Sequence, residues 1–579
     1  MRANVLTVFN AILGAFGVVT LLFGDWRDAL FLGVIVANSG IGITQEVRAK
    51  RSLDRLALLV APHGEVLRDG VARKVPVGAL VPGDLVLLSP GEQIVADGHV
   101  LVANELLVDE SILSGESEPA RREVGEEVRS GAFVVEGTGV CEVTAVGAES
   151  FAERLTGQAR SFRHPRSPLE RAINRLLYAL VALVVGLGAL LGYSLYHRHV
   201  PLHTAVATST AGVVSLIPEG LVVLVSLTYA VAAVRMSRRG ILAQQLNAIE
   251  SLASVDTLCV DKTGTLTQAT LRVVGVSDGE ALPDDPVELR RFALEATVVG
   301  RISPEGKQAF VRALGEAGRY VAMIGDGVND VPALKSSRLA IAQGAGTQMA
   351  RSVADLVLVS GDFDTVPVLV AEGRQALRNL QRVTKLYLTK SAFAAFLILT
   401  IGVSSEAYPL LPRHLTLAAS LTIGIPTFFL ALAPSSGRWR PEHFVRRAAR
   451  FAVPAGVVLG TGVVAGYLFA LHDLDLSLTQ ARTVAVTTLI AGGLYLVLAL
   501  EAEGSARRST LVGVMCAALG GAYVAVLLIA STRRFFELAT PDAAVIATAL
   551  LAGAVSIGAL IVCGFTVRAG STTPTEGAT

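Results

Sequence analysis

Apolar residues fall into ten long runs separated by polar breaks. Residues 5–23 and 30–43 are joined by the polar turn Gly24-Asp25-Trp26-Arg27 and predict a helical hairpin. A third run covers 176–196. A fourth covers 205–234 and is interrupted at Ile217-Pro218-Glu219-Gly220-Leu221. Six more follow at 386–403, 415–432, 451–471, 484–500, 511–530 and 543–567. Runs of this length and apolarity predict membrane-crossing helices. Two intervals have another pattern. Residues 60–155 alternate short apolar runs with Gly, Pro and Asp turns, as in Val81-Pro82-Gly83-Asp84-Leu85-Val86-Leu87-Leu88, and predict a small β-rich domain. Between the fourth and fifth runs, 255–260 and 321–324 predict short buried strands. An amphipathic helix opens at Arg301-Ile302-Ser303-Pro304 and runs to Ala317, and another begins near Val331, so this interval predicts an α/β domain.

Composition supports the membrane assignment. Of 579 residues, 52% are hydrophobic and 17% charged, and the mean hydropathy is +0.56; a soluble multidomain chain has no use for that excess. The net charge of +1 gives no reason to expect a nucleic-acid partner. Cys141, Cys259, Cys516 and Cys563 are scattered, so neither a disulfide framework nor a cysteine-based heavy-metal motif is expected. Basic segments at 45–51, 235–239, 438–450 and 507–508 all fall on one side of ten spans, the cytoplasmic side by the positive-inside rule. The first run passes directly into the second, and no cleavable signal peptide is expected.

Three strings carry chemistry. Asp261-Lys262-Thr263-Gly264-Thr265-Leu266-Thr267 follows the strand at 255–260. An aspartate at the carboxyl end of a strand can attack phosphorus and hold the group as an aspartyl phosphate. The turn's N–H groups, Lys262 and the threonine hydroxyls stand ready for phosphate oxygens. Gly325-Asp326-Gly327-Val328-Asn329-Asp330 ends the strand at 321–324. Carboxylates on adjacent strand ends can share one Mg²⁺, and the helix start that follows favours phosphate. In the fourth run Pro218 lacks an N–H and Gly220 loosens the next turn. Freed carbonyls around Val214 and Ser215, with the Glu219 carboxylate, predict hard oxygen ligands for a cation at mid-membrane depth. The plainer alternative there is a kinked helix with a protonated glutamate.

Asp261 to Thr267 matches, residue for residue, the phosphorylation motif of P-type ATPases, and nearly the whole chain resembles that family. Ser114-Gly115-Glu116-Ser117 resembles its actuator loop, usually Thr-Gly-Glu-Ser. Pro-Glu-Gly in the fourth run and Ile425-Pro426-Thr427-Phe428-Phe429 in the sixth look most like the bacterial cation-transporting ATPase E group. The resemblance implies a multi-pass α-helical membrane protein with a β-rich actuator domain and a haloacid-dehalogenase-like phosphorylation domain. It implies ATP as phosphoryl donor to Asp261, with Lys262 and Thr263 beside it and Glu116 orienting the hydrolytic water. It also implies Mg²⁺ held by Asp261, Thr263 and Asp326, and Lys307 on the phosphoryl group. Thr265, Gly327, Asn329 and Asp330 then complete the pocket. Glu219, Val214 and Ser215 bind the transported cation, with calcium favoured. The other partners implied are membrane lipid only, for a monomer in the plasma membrane with cytoplasmic soluble domains. The domains expected are a hairpin at 1–46, an actuator at 47–165, spans three and four at 166–240, a phosphorylation domain at 241–380, spans five to ten at 381–568, and a polar tail at 569–579.

The chain departs from that family in one large respect. The family inserts a nucleotide-binding domain between the two aspartate motifs, but here residues 268–324 are only 57 residues, at the lower limit for any domain. They also have to complete the sheet around Asp261. No Lys-Gly-Ala or Thr-Gly-Asp string occurs there. Spans five and six carry no carboxylate near mid-membrane, which leaves Glu219 as the candidate buried acid. Two other functions fit the same residues: a nucleotide-domain-less remnant that binds a cation or a partner without using ATP, and a membrane-tethered aspartate-based phosphatase. His197, His199 and His203 have spacing that could suit Zn²⁺ or Ni²⁺, but a solvated loop is the reading preferred here.

Overall fold

The computed structural model describes all residues except 1–7, 34, 38, 41, 42, 45, 46, 48–62, 111–118, 152–167, 219, 246, 247, 261–282, 284, 297, 300, 301, 345–347, 360–364, 434–443, 502–505 and 568–579. The chain divides into two compact units. The first is Met1–Arg48, Pro168–Ala232 and Arg374–Thr579; the second is Ala49–Ser167 and Ala233–Gly373.

In chain order, α1 (Val8–Phe23) is followed by residues 30–47, helical wherever described. Seven strands come next: β1 (His63–Arg68), β2 (Val71–Pro76), β3 (Leu85–Leu88), β4 (Asp97–Asp109), β5 (Ala120–Arg121), β6 (Glu127–Val128) and β7 (Phe133–Ala145). Helices α2 (Pro168–His197), α3 (Leu202–Leu216) and α4 (Leu221–Ser237) follow. Then come β8 (Ile241–Ala243), α5 (Ala248–Ser254), β9 (Thr257–Val260), α6 (Pro286–Glu295), α7 (Pro304–Glu316), β10 (Val321–Gly325), α8 (Val331–Ser336), β11 (Leu339–Gln343), α9 (Gln348–Val353) and β12 (Leu356–Leu358). The chain ends with α10 (Thr365–Leu397), α11 (Pro412–Ala419), α12 (Ile425–Leu432), α13 (Phe444–Leu468), α14 (Leu478–Glu501), α15 (Ala506–Leu528), α16 (Ala530–Phe535) and α17 (Ala543–Val562).

The first unit is helical. Among the described residues, seven helices are long and apolar enough to cross a membrane, and Asn10–Phe23, Leu202–Leu216 and Val223–Ser237 are shorter apolar helices. The fourth run is two helices, α3 and α4, because Pro218 cannot donate and Gly220 adopts φ +84°. Wider π turns extend α10 through Ile398–Gly402 and join α11 to α12 through Ser420–Gly424. At one end of the unit Arg413 ties three segments together. Its Nε donates to Asp28 Oδ1 at 2.8 Å and its Nη2 to Asp25 Oδ2 at 3.0 Å, while Nη1 lies 3.3 Å from Glu537 Oε2. Burial raises the Asp25 carboxyl, but hydrogen bonds from Arg27 and the Arg413 charge outweigh it and hold it at about 2. The adjacent His414 accepts from the Leu411 N–H at Nδ1 (3.2 Å), so Nε2 carries the proton and donates to the Phe536 carbonyl at 2.7 Å.

The second unit holds two sheets. One has order β2-β1-β3-β7-β4-β5, with β6 also on β4. Val66, Val86, Ile94, Val100, Val108, Val134 and Cys141 fill its core. The other has order β8-β12-β11-β10-β9; β9 to β12 run parallel and β8 antiparallel. The expectation of a buried β9 needs correction. It is the edge strand of the described sheet, with Leu258 39% exposed. Burial of a strand depends on its neighbours, and here β10 is its only partner among the described residues.

Arg413 and Asp28 are each 2% exposed. Removing one member of such a pair strands a buried charge at a cost of about 3–5 kcal/mol. Arg413→Met should therefore lower the melting temperature in lipid nanodiscs sharply, and Arg413→Met with Asp28→Asn should recover much of the loss. A double variant no more stable than the single would mean that the pair is not what holds these segments.

Candidate functional site

Strand β9 is set against β10 by paired contacts at its start. The Asp256 N–H donates to the Tyr320 carbonyl at 3.2 Å, and the Tyr320 N–H donates back to Asp256 Oδ1 at 3.1 Å. The register that follows puts Val260 opposite Ile324. Asp261 follows Val260 in the sequence, and Asp326 lies two residues after Ile324, at the carboxyl end of the adjacent parallel strand. Burial pushes the Cys259 thiol up to about 11, and its side chain packs, partly buried, against the hydrophobic cluster of this sheet.

Asp330 organises the end of β10. Its Oδ1 accepts from Lys307 Nζ at 2.7 Å, and its Oδ2 accepts from the N–H groups of Asp326 and Gly327, both at 3.2 Å. Asp330 is buried and Lys307 largely so. Lys307 reaches this position because α7 starts where its sequence says it should. Ser303 caps the helix by accepting from the Gly306 N–H at 3.0 Å, Pro304 occupies the first turn, and Lys307 follows on that turn. Gln308 Nε2 then donates to Ser336 Oγ at 3.1 Å and fixes α7 to α8. The result is an ammonium, held by Asp330, at the end of the strand next to the one that leads into Asp261. Such an arrangement can neutralise and orient a phosphoryl group. Lys307, Asp326, Gly327 and Asp330 are thus brought together; Asn329 is exposed on the same turn. Asp261, Lys262, Thr263 and Thr265 lie outside the described residues.

Glu116 also lies outside them, but the base of its loop is defined. β4 and β5 pair as a hairpin with Val108 opposite Ala120, and Arg122 Nη2 bonds Glu110 Oε1 at 2.5 Å. Asp109, the last residue of β4, is the register partner of Phe133. Phe133 is buried against Val331, the residue after Asp330, with Val353 alongside. The loop that carries Glu116 therefore starts from a strand end whose neighbour packs beside Asp330.

The first unit contains a cavity of about 380 Å³ at the break between α3 and α4. Val214, Ser215 and Gly220 line it, with Tyr387 and Lys390 from α10 and Ile423, Phe428 and Phe429 from the sixth run. Glu219 lies outside the described residues. The expectation that Val214 offers a freed carbonyl needs correction. The Ile217 N–H donates to it at 3.3 Å, closing a tighter turn where Pro218 could not donate. The carbonyls beyond that turn belong to Leu216 and Ile217. Ser391 Oγ donates to the first at 2.7 Å and Lys390 Nζ to the second at 3.3 Å. The Ser215 hydroxyl is buried with no hydrogen-bond partner among the described residues. Lys390 and Ser391 were not among the expected site residues. The signal for Lys390 was in the sequence: a lone lysine inside the apolar run 386–403, at a cost of about 2.5–3.5 kcal/mol in a membrane helix. Among the described residues no group of three His, Cys, Asp or Glu side chains is placed to hold a metal; His203 instead bonds Thr204.

Residues 58–160 match the P-type ATPase actuator domain, and residues 281–338 match the haloacid dehalogenase-like hydrolases. The chain is 31% identical to the calcium-transporting ATPase CtpE of Mycolicibacterium smegmatis, over 97% of this chain and 93% of that protein. It is 24% identical to the probable cation-transporting ATPase exp7 of Streptococcus pneumoniae, over 79% of this chain and 82% of that one. The crystal structure of a zinc-transporting PIB-type ATPase aligns with a TM-score of 0.44 at 18% identity, covering 73% of this chain and 90% of that chain. The alignment with CtpE runs over 743 positions, whereas this chain has 579 residues, so at least 164 of those positions have no residue here.

Two glycines of the Asp330 turn should respond differently to a methyl group. A Cβ on Gly325 would stand 2.5 Å from Asp330 Cβ and 2.6 Å from its Oδ2, whereas one on Gly327 would meet nothing nearer than 3.7 Å. Gly325→Ala should release the Asp330 carboxylate and speed hydrogen exchange at the amides of residues 326 and 327, which it now holds. Gly327→Ala should leave those rates near wild type. Equal effects would show that the close approach at Gly325 does not set the turn.

Proposed function

We infer, for a chain that belongs to the P-type ATPase family, that Asp261 is the phosphoryl acceptor of a cation-transport cycle whose ion site is the cavity beside Glu219. The family moves cations across membranes through a phosphorylated aspartate, and this chain is a multi-pass membrane protein. The observation that carries the assignment is the Lys307–Asp330 pair, with its backbone donors, at the end of the strand next to the one that leads into Asp261. In the proposed step the Asp261 carboxylate attacks the phosphorus of inorganic dihydrogen phosphate, the P–OH bond breaks as that hydroxyl takes the other phosphate proton and leaves as water, and the carboxylate becomes an acyl phosphate. The Lys307 ammonium, held by Asp330, offsets charge on the phosphoryl oxygens. Glu116 then orients the water that cleaves the acyl phosphate, which the buried contact between Phe133 and Val331 supports by anchoring the base of its loop.

The oxygen donors Asp261, Asp326 and Thr263 suit a hard divalent ion, and they would hold Mg²⁺, which supplies further charge neutralisation. ATP is the family's donor, but the 57 residues at 268–324 leave no room for a nucleotide domain, and the unmatched alignment positions support the same conclusion. With no adenine site, nothing delivers the γ-phosphate in line to Asp261. Thr265, Gly327 and Asn329 therefore serve phosphate alone. Ser215 in the cavity and Glu219 next in the break would supply hard oxygens, and calcium is the favoured cation because a relative aligned over nearly the whole chain is named for it. The basic segments favour the cytoplasm for both soluble domains.

Equilibrium binding of ⁴⁵Ca²⁺ to the purified full chain tests the ion assignment. Saturable binding that disappears in Glu219→Gln, with no cation-stimulated release of phosphate from Mg²⁺ and ATP, is the expected outcome. Binding indifferent to Glu219→Gln would overturn the ion site. Turnover of ATP that vanishes in Asp261→Asn would reveal a nucleotide site in this short interval.

A further inference from the structure

We propose that Asp97 is a positioning residue of the transport cycle: it clamps the point where the chain leaves the actuator sheet for the third span, and so sets the length of the connection between them. This inference rests on the reading of Asp261 as phosphoryl acceptor and of the cavity as the cation site. Asp97 opens β4 and stands opposite Ala145, the last residue of β7. It is a buried carboxylate, 5% exposed. Its Oδ1 accepts from the Ser130 N–H at 2.7 Å and from the Ser130 hydroxyl at 2.6 Å. Its Oδ2 accepts from the Phe151 N–H at 2.7 Å. Phe151 is held a second time, by the Arg129 guanidinium 4.9 Å from the centre of its ring.

A simpler role for Asp97 would be to fix the loop at Ser130 within the sheet. One oxygen is enough for that role, and a neutral amide would supply it. The second oxygen reaches past the end of β7 to a residue outside the sheet. Between Ala145 and Phe151 lies a tight turn over Gly147–Glu149. Its own bonds are short-range: the Ser150 N–H and hydroxyl both donate to the Gly147 carbonyl, at 3.0 and 2.7 Å. They give the turn its shape, while the contacts from Asp97 and Arg129 fasten it to the sheet. By sequence, sixteen residues (152–167) separate Phe151 from Pro168, where α2 starts. Were the turn released back to Ala145, the connection would be twenty-two residues (146–167). Six more residues add up to about 20 Å of reach. A smaller displacement of the sheet would then be absorbed as slack before it reached α2. The clamp therefore lets phosphate chemistry on one side and cation binding on the other act on each other.

Such coupling appears as an effect of one ligand on the affinity of the other. Label from ³²P-labelled inorganic phosphate and Mg²⁺, taken up by the full chain in nanodiscs with and without calcium, reads it. In wild type, calcium should change the phosphate concentration for half-maximal label by a factor of roughly 5–150. In Asp97→Asn the label should persist and calcium should leave that concentration nearly unchanged. The asparagine oxygen stays with the two Ser130 donors and its amide faces the Phe151 N–H, so hydrogen exchange at Phe151 should speed up. Phe151→Pro removes the same hydrogen bond from the other side and should lose calcium sensitivity too. Ser130→Ala keeps the link to Phe151 and should behave as wild type. Melting curves show which variants are folded. A calcium effect of wild-type size in whichever of Asp97→Asn and Phe151→Pro is folded overturns the inference and leaves the two sites standing. An equal loss in Ser130→Ala also overturns it, since the link to Phe151 would then not be what matters. Wild-type protein that takes no label, or whose label is indifferent to calcium, overturns the reading of the two sites and the inference with it.

Discussion

A helix broken inside a membrane must find partners for the carbonyls it strands, because no water is there to take them. Much of the first unit is arranged around that constraint at Pro218. One carbonyl is recovered locally, by the tight turn from Ile217 to Val214, and two are answered by consecutive residues of α10, Lys390 and Ser391. The same helix also serves the sixth span. Asn379, buried in α10, donates to the carbonyls of Ala431 and Ala433 at the end of α12, at 3.1 and 2.8 Å. The polar ties of both spans that line the cavity thus converge on one helix. That helix begins seven residues after the end of β12, the strand that pairs with β11 in the phosphorylation sheet.

The second unit is built on a comparable arrangement around a single carboxylate. Asp330 holds Lys307 with one oxygen and two backbone N–H groups with the other, so the ammonium and the turn are fixed relative to each other before any phosphate arrives. None of these contacts involves the residues between Asp261 and the start of α6. The Lys307–Asp330 arrangement therefore does not depend on the segment where the family inserts its nucleotide-binding domain.

The apolar runs were legible in the sequence because length and polarity alone define them, and the break in the fourth was legible because proline and glycine act locally. The start of α7 was readable for the same reason, from Ser303 and Pro304. Facts that depend on distant partners were not. Which carbonyls the break leaves for other helices cannot be read from the missing N–H of Pro218 alone, since a tighter turn takes up Val214 while Leu216 and Ile217 are answered from α10. The edge position of β9 depends on which strands flank it. The Arg413–Asp28 pair joins residues 385 apart in the chain. Lys390 was visible as a lone charge, but a search for carboxylate ligands has no place for an ammonium.

The central claim is that the phosphoryl-acceptor half of the site works without the nucleotide half. Incubation of the purified chain with Mg²⁺ and ³²P-labelled inorganic phosphate, with no nucleotide present, tests it most directly. Loss of one phosphate donor with the missing segment typically costs about 3–4 kcal/mol, so the label should be weak. It should be acid-stable, absent in Asp261→Asn and longer-lived in Glu116→Gln. No label from a protein whose helices are intact, or a label that survives Asp261→Asn, would contradict the account.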